Sequence, residues 1–196
     1  MTALDELTRL LKKLPGMGEK SATRLSYHLI KTDESYNQAL ANAIATLKEK
    51  IHPCPICGCF TEDDICEFCS SKTRDRSLLC IVEEPQDVMS ISSSGIYNGL
   101  FHVLGGAINP INGVGPDSLT FKELRKRIDE GTFKEIIIAT NPTEEGDTTA
   151  LYIRQMLKDK PDIVLTRLAS GLPIGGDLGY VDKLTLARSL RGRVKL

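Results

Sequence analysis

Leu78-Leu79-Cys80-Ile81-Val82-Glu83-Glu84-Pro85 is a short apolar run closed by two acids and a proline. A run that brief, with such an end, predicts a strand buried on both faces. Glu135-Ile136-Ile137-Ile138-Ala139-Thr140 repeats the pattern, and Phe101-His102-Val103-Leu104 and Asp162-Ile163-Val164-Leu165-Thr166 are further strand candidates. Thr120-x-x-Glu123 has the form of a capping box, opening a helix that runs to Glu130 and stops at Gly131. Another helix is predicted from about Asp147 to Lys158. Strands alternating with helices predict an α/β fold: a mostly parallel sheet with helices on both faces.

Upstream of the sheet the period changes. Leu4, Leu7, Leu10, Leu11 and Leu14 recur at helical spacing, and Pro15 sets the helix end at Leu14. A second helix opens near Glu19 and carries Ala22, Leu25, Leu29 and Ile30; a third carries Ala39, Leu40, Ala43, Ile44 and Leu47. Leu184, Leu186, Ala187 and Leu190 predict a last helix, too short for a core of its own and expected to pack on the α/β domain or on another subunit. The expected division is therefore a helical head over 1–53, a cysteine module over 54–77, an α/β domain over 78–173 and a basic C-terminal segment over 174–196. There are no internal repeats and no low-complexity tracts.

The chain has 196 residues and a formal charge of −1, but its charge is uneven. Residues 1–53 carry +2, residues 54–173 carry −6 and residues 174–196 carry +3. Basic ends suit a polyanion such as nucleic acid, though scattered surface charge would look the same. Trp is absent and aromatics make up only 5%, which disfavours aromatic-lined carbohydrate sites. No apolar run approaches the roughly 20 residues of a membrane span, and the N-terminus lacks a signal-peptide pattern. The expected location is the cytoplasm, where disulfides are disfavoured and six cysteines need another use.

Cys54-x-x-Cys57 and Cys66-x-x-Cys69 supply that use. Two such pairs, with eight residues between them, can close a tetrahedral Zn²⁺ shell and leave no position for water, so one structural zinc per chain is expected. Cys59 is the substitute ligand should one assignment fail, and Cys80 reads as a small buried hydrophobe. His52 reads as a boundary residue, and His28 and His102 have no partner motif and read as packing residues.

Leu14-Pro15-Gly16-Met17-Gly18 joins the first two helices, with Lys20 and Arg24 one turn apart just beyond it. Glycines at a tight turn and a helix N-terminus let main-chain N–H groups converge on an anion, here one DNA phosphate. A Gly-rich turn between packed helices is the plainer alternative. With Glu19-Lys20-Ser21-Ala22 the string resembles the helix–hairpin–helix motif of DNA-repair proteins, which implies Gly16, Gly18, Lys20 and Arg24 as contacts to DNA that read backbone rather than bases. It lacks the spacing of a P-loop.

Glu83 and Glu84 follow one strand, and Asn141-Pro142-Thr143-Glu144-Glu145-Gly146-Asp147 follows another. The carboxyl ends of strands are where such sheets place their sites. The arrangement resembles the Toprim domain of type IA topoisomerases, bacterial primases and old-family nucleases. Glu83 matches the family's first-strand Glu, but Asn141 and Thr143 stand where the family has an Asp-x-Asp pair. An amide and a hydroxyl are poor Mg²⁺ ligands, so a Toprim fold without Toprim chemistry is expected, its acids serving partner docking, DNA exclusion or only a solvated rim. Gly171, Gly175 and Gly176 form an open loop before the last helix.

Taken in order, the modules resemble the RecR family of bacterial recombination mediators over nearly the whole chain. The resemblance implies a helix–hairpin–helix head, a four-cysteine zinc finger, a Toprim domain and a C-terminal segment with a Walker-B-like stretch. It implies a ring-shaped homotetramer, a dimer of dimers, that clamps single-stranded, double-stranded or gapped DNA. It further implies work with RecO, and in many bacteria RecF, to load RecA onto single-stranded DNA at the nucleoid. Glu83, Asp87 and Glu144 would then meet partners. The expected protein is a clamp and adaptor rather than an enzyme. A metal-dependent Toprim nuclease, topoisomerase or primase is the alternative, and a zinc-stapled interaction module is a third reading.

Overall fold

Ala3–Leu11 forms α1, Glu19–Lys31 α2 and Glu34–Lys50 α3. These belong to the first of two compact units in the computed structural model, Met1–Ile51, and the second opens at His52. Residues 1–193 are described, so the last three residues of the predicted C-terminal segment lie outside the described residues.

In the head, α1 starts on a full capping box between Thr2 and Asp5. It ends at Leu11, not Leu14, because Lys13 and Leu14 donate to Leu10 and Leu11 at 3.1 and 3.0 Å and tighten the turn. Ala22 and Ser26 of α2 are buried, and the Ser26 and Thr8 hydroxyls meet at 2.9 Å between the helices. The apolar stripe predicted for α3 is not core within the chain: Leu40, Ile44 and Leu47 are exposed, as are Ile30 and Tyr36.

The second unit begins with a small hairpin, β1 (His52–Pro53) and β2 (Phe60–Thr61), and a single-turn helix α4 (Glu67–Ser70). The sheet follows: β3 (Asp75–Val82), β4 (Gly99–Val103), β5 (Glu135–Ile138) and β6 (Val164–Arg167), all parallel, in the order β4-β3-β5-β6. Around it lie α5 (Pro85–Ser93), α6 (Phe121–Glu130), α7 (Glu144–Met156) and α8 (Lys183–Arg191). The four-stranded parallel sheet agrees with the sequence reading.

Side chains alternate along a strand, and here the alternation separates two cores. Leu79, Ile81, Leu100, Ile136 and Ile138 pack with Phe121, Leu124 and Ile128 of α6, with Ala150 and Ile153 of α7 and with Leu157 just after it. Cys80, Val82, Phe101 and Val103 face the other way, onto Val88 of α5, Phe68 and the four cysteines. The zinc module is therefore one wall of the sheet's core.

Three local expectations are corrected. The sequence reading has no helix over 85–93, yet Pro85 sits in the first turn of α5, with Glu84 and Asp87 closing a capping box. The helix predicted from Asp147 starts at Glu144, because the Thr143 hydroxyl accepts the Gly146 N–H at 3.1 Å. Thr120 precedes α6 but does not cap it. Its hydroxyl instead donates to the Val103 carbonyl at 2.8 Å and accepts from His102 Nε2 at 3.0 Å. Tertiary partners have outcompeted the local cap. His102 is buried and His28 exposed, both without metal partners among the described residues.

Candidate functional site

The turn between α1 and α2 needs one of its glycines for conformation and leaves the other for access. Gly16 has φ +74, a left-handed value that an L side chain resists. Gly18 has ordinary extended geometry as the cap of α2, and a Cβ there would meet nothing within 4 Å. It is bare without any internal need to be. Its carbonyl accepts the Ala22 N–H, opening the helix, and no side chain caps the first-turn amides. Lys20 and Arg24 are exposed, and among the described residues neither has an acidic partner. The acid of that turn, Glu19, is paired with Lys12, a contact no sequence pattern announced. A bare helix N-terminus with two free cations suits an anionic backbone.

The metal centre is built on two tight turns. Gly58 donates to the Cys54 carbonyl at 2.9 Å, and Cys54 donates to the Cys59 carbonyl at 2.7 Å. Cys66 caps α4, and the Cys69 N–H returns to its carbonyl at 3.1 Å. The Val103 N–H donates to the Cys57 carbonyl at 2.7 Å and ties the first turn to β4. Phe68 packs edge-on against Phe101 at 5.2 Å, with the Arg74 guanidinium 4.7 Å above the Phe68 ring.

The sulfurs of Cys54, Cys57, Cys66 and Cys69 all lie within 4.8 Å of one another, and all four residues are buried. Zn–S bonds of about 2.3 Å in a tetrahedron place sulfurs about 3.8 Å apart, so the cage fits zinc. The neighbouring Cys59 and Cys69 groups hold the Cys57 thiol far below its ordinary range, while their own values are pushed up. Negative charge is thus favoured on a sulfur of the cage. Four buried thiols close the shell, and the site is a structural zinc site, as the spacing predicted. Cys59 does not belong to the four. Cys80 is buried in β3, and burial pushes its thiol up to about 12.

The acids meet at the carboxyl ends of β3 and β5. Glu83 is buried. Its Oε1 accepts the Asn141 N–H at 2.9 Å and its Oε2 accepts the Asn141 side-chain amide at 2.6 Å. Gly146 lets α7 close on this pair, since a Cβ there would stand 2.0 Å from the Asn141 carbonyl and 3.0 Å from Glu83 Oε1. Asp147 is bridged by two arginines, Arg167 at 2.7 Å and Arg188 of α8 at 2.9 Å. Arg188 also donates to the Pro142 carbonyl at 3.1 Å, tying α8 to this cleft. Asp87 is half-buried and accepts the Glu84 N–H at 2.9 Å. Glu144 is exposed on the first turn of α7.

In the cleft, Asn141 hydrogen-bonds both oxygens of Glu83, two arginines pair with Asp147, and Glu144 has no ion-pair partner among the described residues. Sequence reasoning took Asn141 for a lost metal ligand and missed its role as the donor to Glu83. It also missed Arg167 and Arg188 as partners of Asp147. The Asn immediately after a buried strand was the available signal for the first, and nothing local marked the second.

Four family models match the chain in order: the helix–hairpin–helix of RecR over residues 4–48, the four-cysteine zinc finger domain of RecR over 51–71, the Toprim domain over 77–169 and the C-terminal region of RecR over 171–194. The chain is 58% identical to a protein named Recombination protein RecR from Treponema denticola, over 100% of both chains. It is 52% identical to a Treponema pallidum protein of the same name, over 97% of this chain and 94% of that one. A Bdellovibrio bacteriovorus protein of that name is 43% identical over 100% of this chain and 98% of its own.

Proposed function

The chain belongs to the RecR family of recombination proteins, and we propose that it is a non-catalytic DNA clamp and adaptor in recombinational repair. The observation that carries this reading is the bare N-terminus of α2, where Gly16, Gly18, Lys20 and Arg24 offer free donors and free charge to a phosphate. Such contacts are independent of base sequence and weaken with salt. The 1–53, 54–77, 78–173 and 174–196 division assigns DNA to the head, zinc to the second module and partners to the third.

Absence of catalysis is supported by the cleft, where Asn141 occupies both oxygens of Glu83 and two arginines occupy Asp147. A Toprim enzyme needs the Glu83 oxygens for Mg²⁺ together with an Asp-x-Asp pair, in whose places Asn141 and Thr143 stand. In this reading the cleft docks RecO, and RecF where present. Glu144 presents the charge, while Glu83 and Asp87 hold the strand and helix ends behind it. Assembly into a tetrameric ring, a dimer of dimers, is supported by the exposed Leu40, Ile44 and Leu47 of α3 and by exposed Ile174, Tyr180 and Leu184 near the C-terminus. A ring repeats Lys20 and Arg24 around DNA, so weak single contacts add through avidity. The clamp would act in the cytoplasm at the nucleoid, promoting RecA loading on single-stranded or gapped DNA. No helix among the described residues is long and apolar enough to cross a membrane.

The test mixes purified protein with gapped, supercoiled and single-stranded DNA in Mg²⁺ or Mn²⁺. The expected result is retarded but chemically unchanged DNA, with binding lost in Lys20→Glu. Cleaved, relaxed or joined DNA from the parent protein, absent with Glu83→Gln, would make it a Toprim enzyme instead.

A further inference from the structure

Ile111 is 96% exposed, and the chain around it is built to hold it there. It sits in the turn Pro110–Asn112, at the tip of the loop that leaves β4. Asn109 and Val114 close the tip with two main-chain bonds of 2.9 Å, and the Asn109 side chain accepts the Asn112 N–H at 3.0 Å. Pro110 fixes φ at the start of the turn, and Gly113 takes φ +74 to end it. Below the tip, Ile108 is buried and donates its N–H to the Thr149 hydroxyl of α7 at 2.9 Å, while Val114 packs on the same core. A lone exposed hydrophobe is ordinary on a protein surface. This one is fixed at the apex of a turn anchored on both sides, and a preorganised group loses little freedom on binding.

The ground around the tip is acidic. The Asn109 side-chain amide donates to Glu145 of α7 at 3.4 Å, and the same helical turn carries the exposed Glu144. Residues 83–98, 104–119 and 140–152, which follow β3, β4 and β5, hold seven Asp or Glu and no Lys, Arg or His. Asp117 and Asp147 pair with cations from elsewhere in the chain, whereas Glu84 and Glu144 are exposed and have no ion-pair partner among the described residues. Such a surface repels nucleic acid. A second copy meeting it with the same face would set acid against acid. What fits is a different protein, with an apolar pocket rimmed by Lys and Arg. We propose that Ile111 is the apolar anchor by which this acidic end of the sheet seats a basic protein partner. The inference rests on the reading that the cleft docks RecO, and it adds the residue that holds the complex once charge has brought it together.

The test measures association and dissociation rates on immobilised cognate RecO, at low and high salt, for the full-length parent, Ile111→Ser, Ile111→Leu and Glu144→Lys. Ile111→Ser should melt like the parent, because solvent already surrounds that side chain. It should leave RecO roughly tenfold faster or more, the effect of withdrawing one buried aliphatic group, with association little changed. Ile111→Leu should stay near the parent. Glu144→Lys should instead slow association and flatten its salt dependence. Parent-like dissociation of Ile111→Ser, with association still slowed in Glu144→Lys, overturns the anchor and leaves the docking reading of the cleft standing. A parent protein with no affinity for RecO removes both. A change of assembly size in Ile111→Ser, read by sedimentation, also overturns the proposal, by placing the tip between copies of this chain.

Discussion

Asn141 gives the Glu83 carboxylate two hydrogen bonds, one from its main-chain N–H at 2.9 Å and one from its side-chain amide at 2.6 Å. The pair joins the ends of β3 and β5, which are neighbours in the sheet. An Asp at 141 would bring a second negative charge to a buried carboxylate, which only a cation could offset. The amide keeps the Toprim architecture while satisfying both oxygens of its first acid from inside the fold.

Asn141→Asp should therefore destabilise the protein by about 2–4 kcal/mol, through one lost charge-assisted donor and one like-charge contact. Urea unfolding at neutral pH with a chelator present measures this. An unchanged midpoint would show that the fork contributes little.

The two head glycines should respond differently. Gly16→Ala forces an L side chain to φ +74 and should cost about 1–2 kcal/mol of head stability. Gly18→Ala meets no atom within the chain and should cost under about 1 kcal/mol, yet its methyl group stands on the proposed phosphate approach. Anisotropy on fluorescent single-stranded DNA should show weaker binding for Gly18→Ala despite a nearly normal melt. Full binding would remove the close-approach argument.

The zinc module and the sheet should lose stability together. Phe68 is 5% exposed and packs on Phe101 of β4. Phe68→Ala should cost about 3–5 kcal/mol while the zinc content stays near one per chain. Stripping the metal should likewise lower the melting temperature of the whole second unit rather than only of residues near the cysteines. A biphasic melt, with the sheet unmoved, is the contrary outcome.

His102 should make stability depend on pH. Burial, followed by the nearby Arg127, pushes its imidazole from an ordinary value near 6.5 down to about 4. The bond to the Thr120 hydroxyl places its proton on Nε2, and Nδ1 has no partner among the described residues. Between those two pH values the unfolded chain binds a proton that the folded chain does not. Stability should therefore fall as pH drops through this window, by up to about 1.4 kcal/mol per unit. Thiolate protonation at the zinc acts in the same direction, so the useful quantity is the difference in slope between the parent and His102→Gln. Identical slopes would show that His102 does not titrate as described.

The sequence alone was enough for features carried by neighbours along the chain. Runs such as Ile136-Ile137-Ile138-Ala139 are apolar on both faces and can be satisfied only in a buried strand, whatever surrounds them. Cys54-x-x-Cys57 and Cys66-x-x-Cys69 hold their geometry in their own turns. The Gly-Met-Gly turn needs a positive φ at Gly16 regardless of the rest of the fold. Tertiary structure decided what depends on partners far away in sequence. Thr120 left its helix for Val103 and His102, and Asp147 was bridged by Arg167 and Arg188. Asn141 turned to Glu83, 58 residues upstream, and alternation in β3 put the zinc module and α6–α7 on opposite faces. A side chain's choice among several donors and acceptors is a competition settled by which of them the packed sheet brings within about 3 Å, and no local pattern encodes that distance.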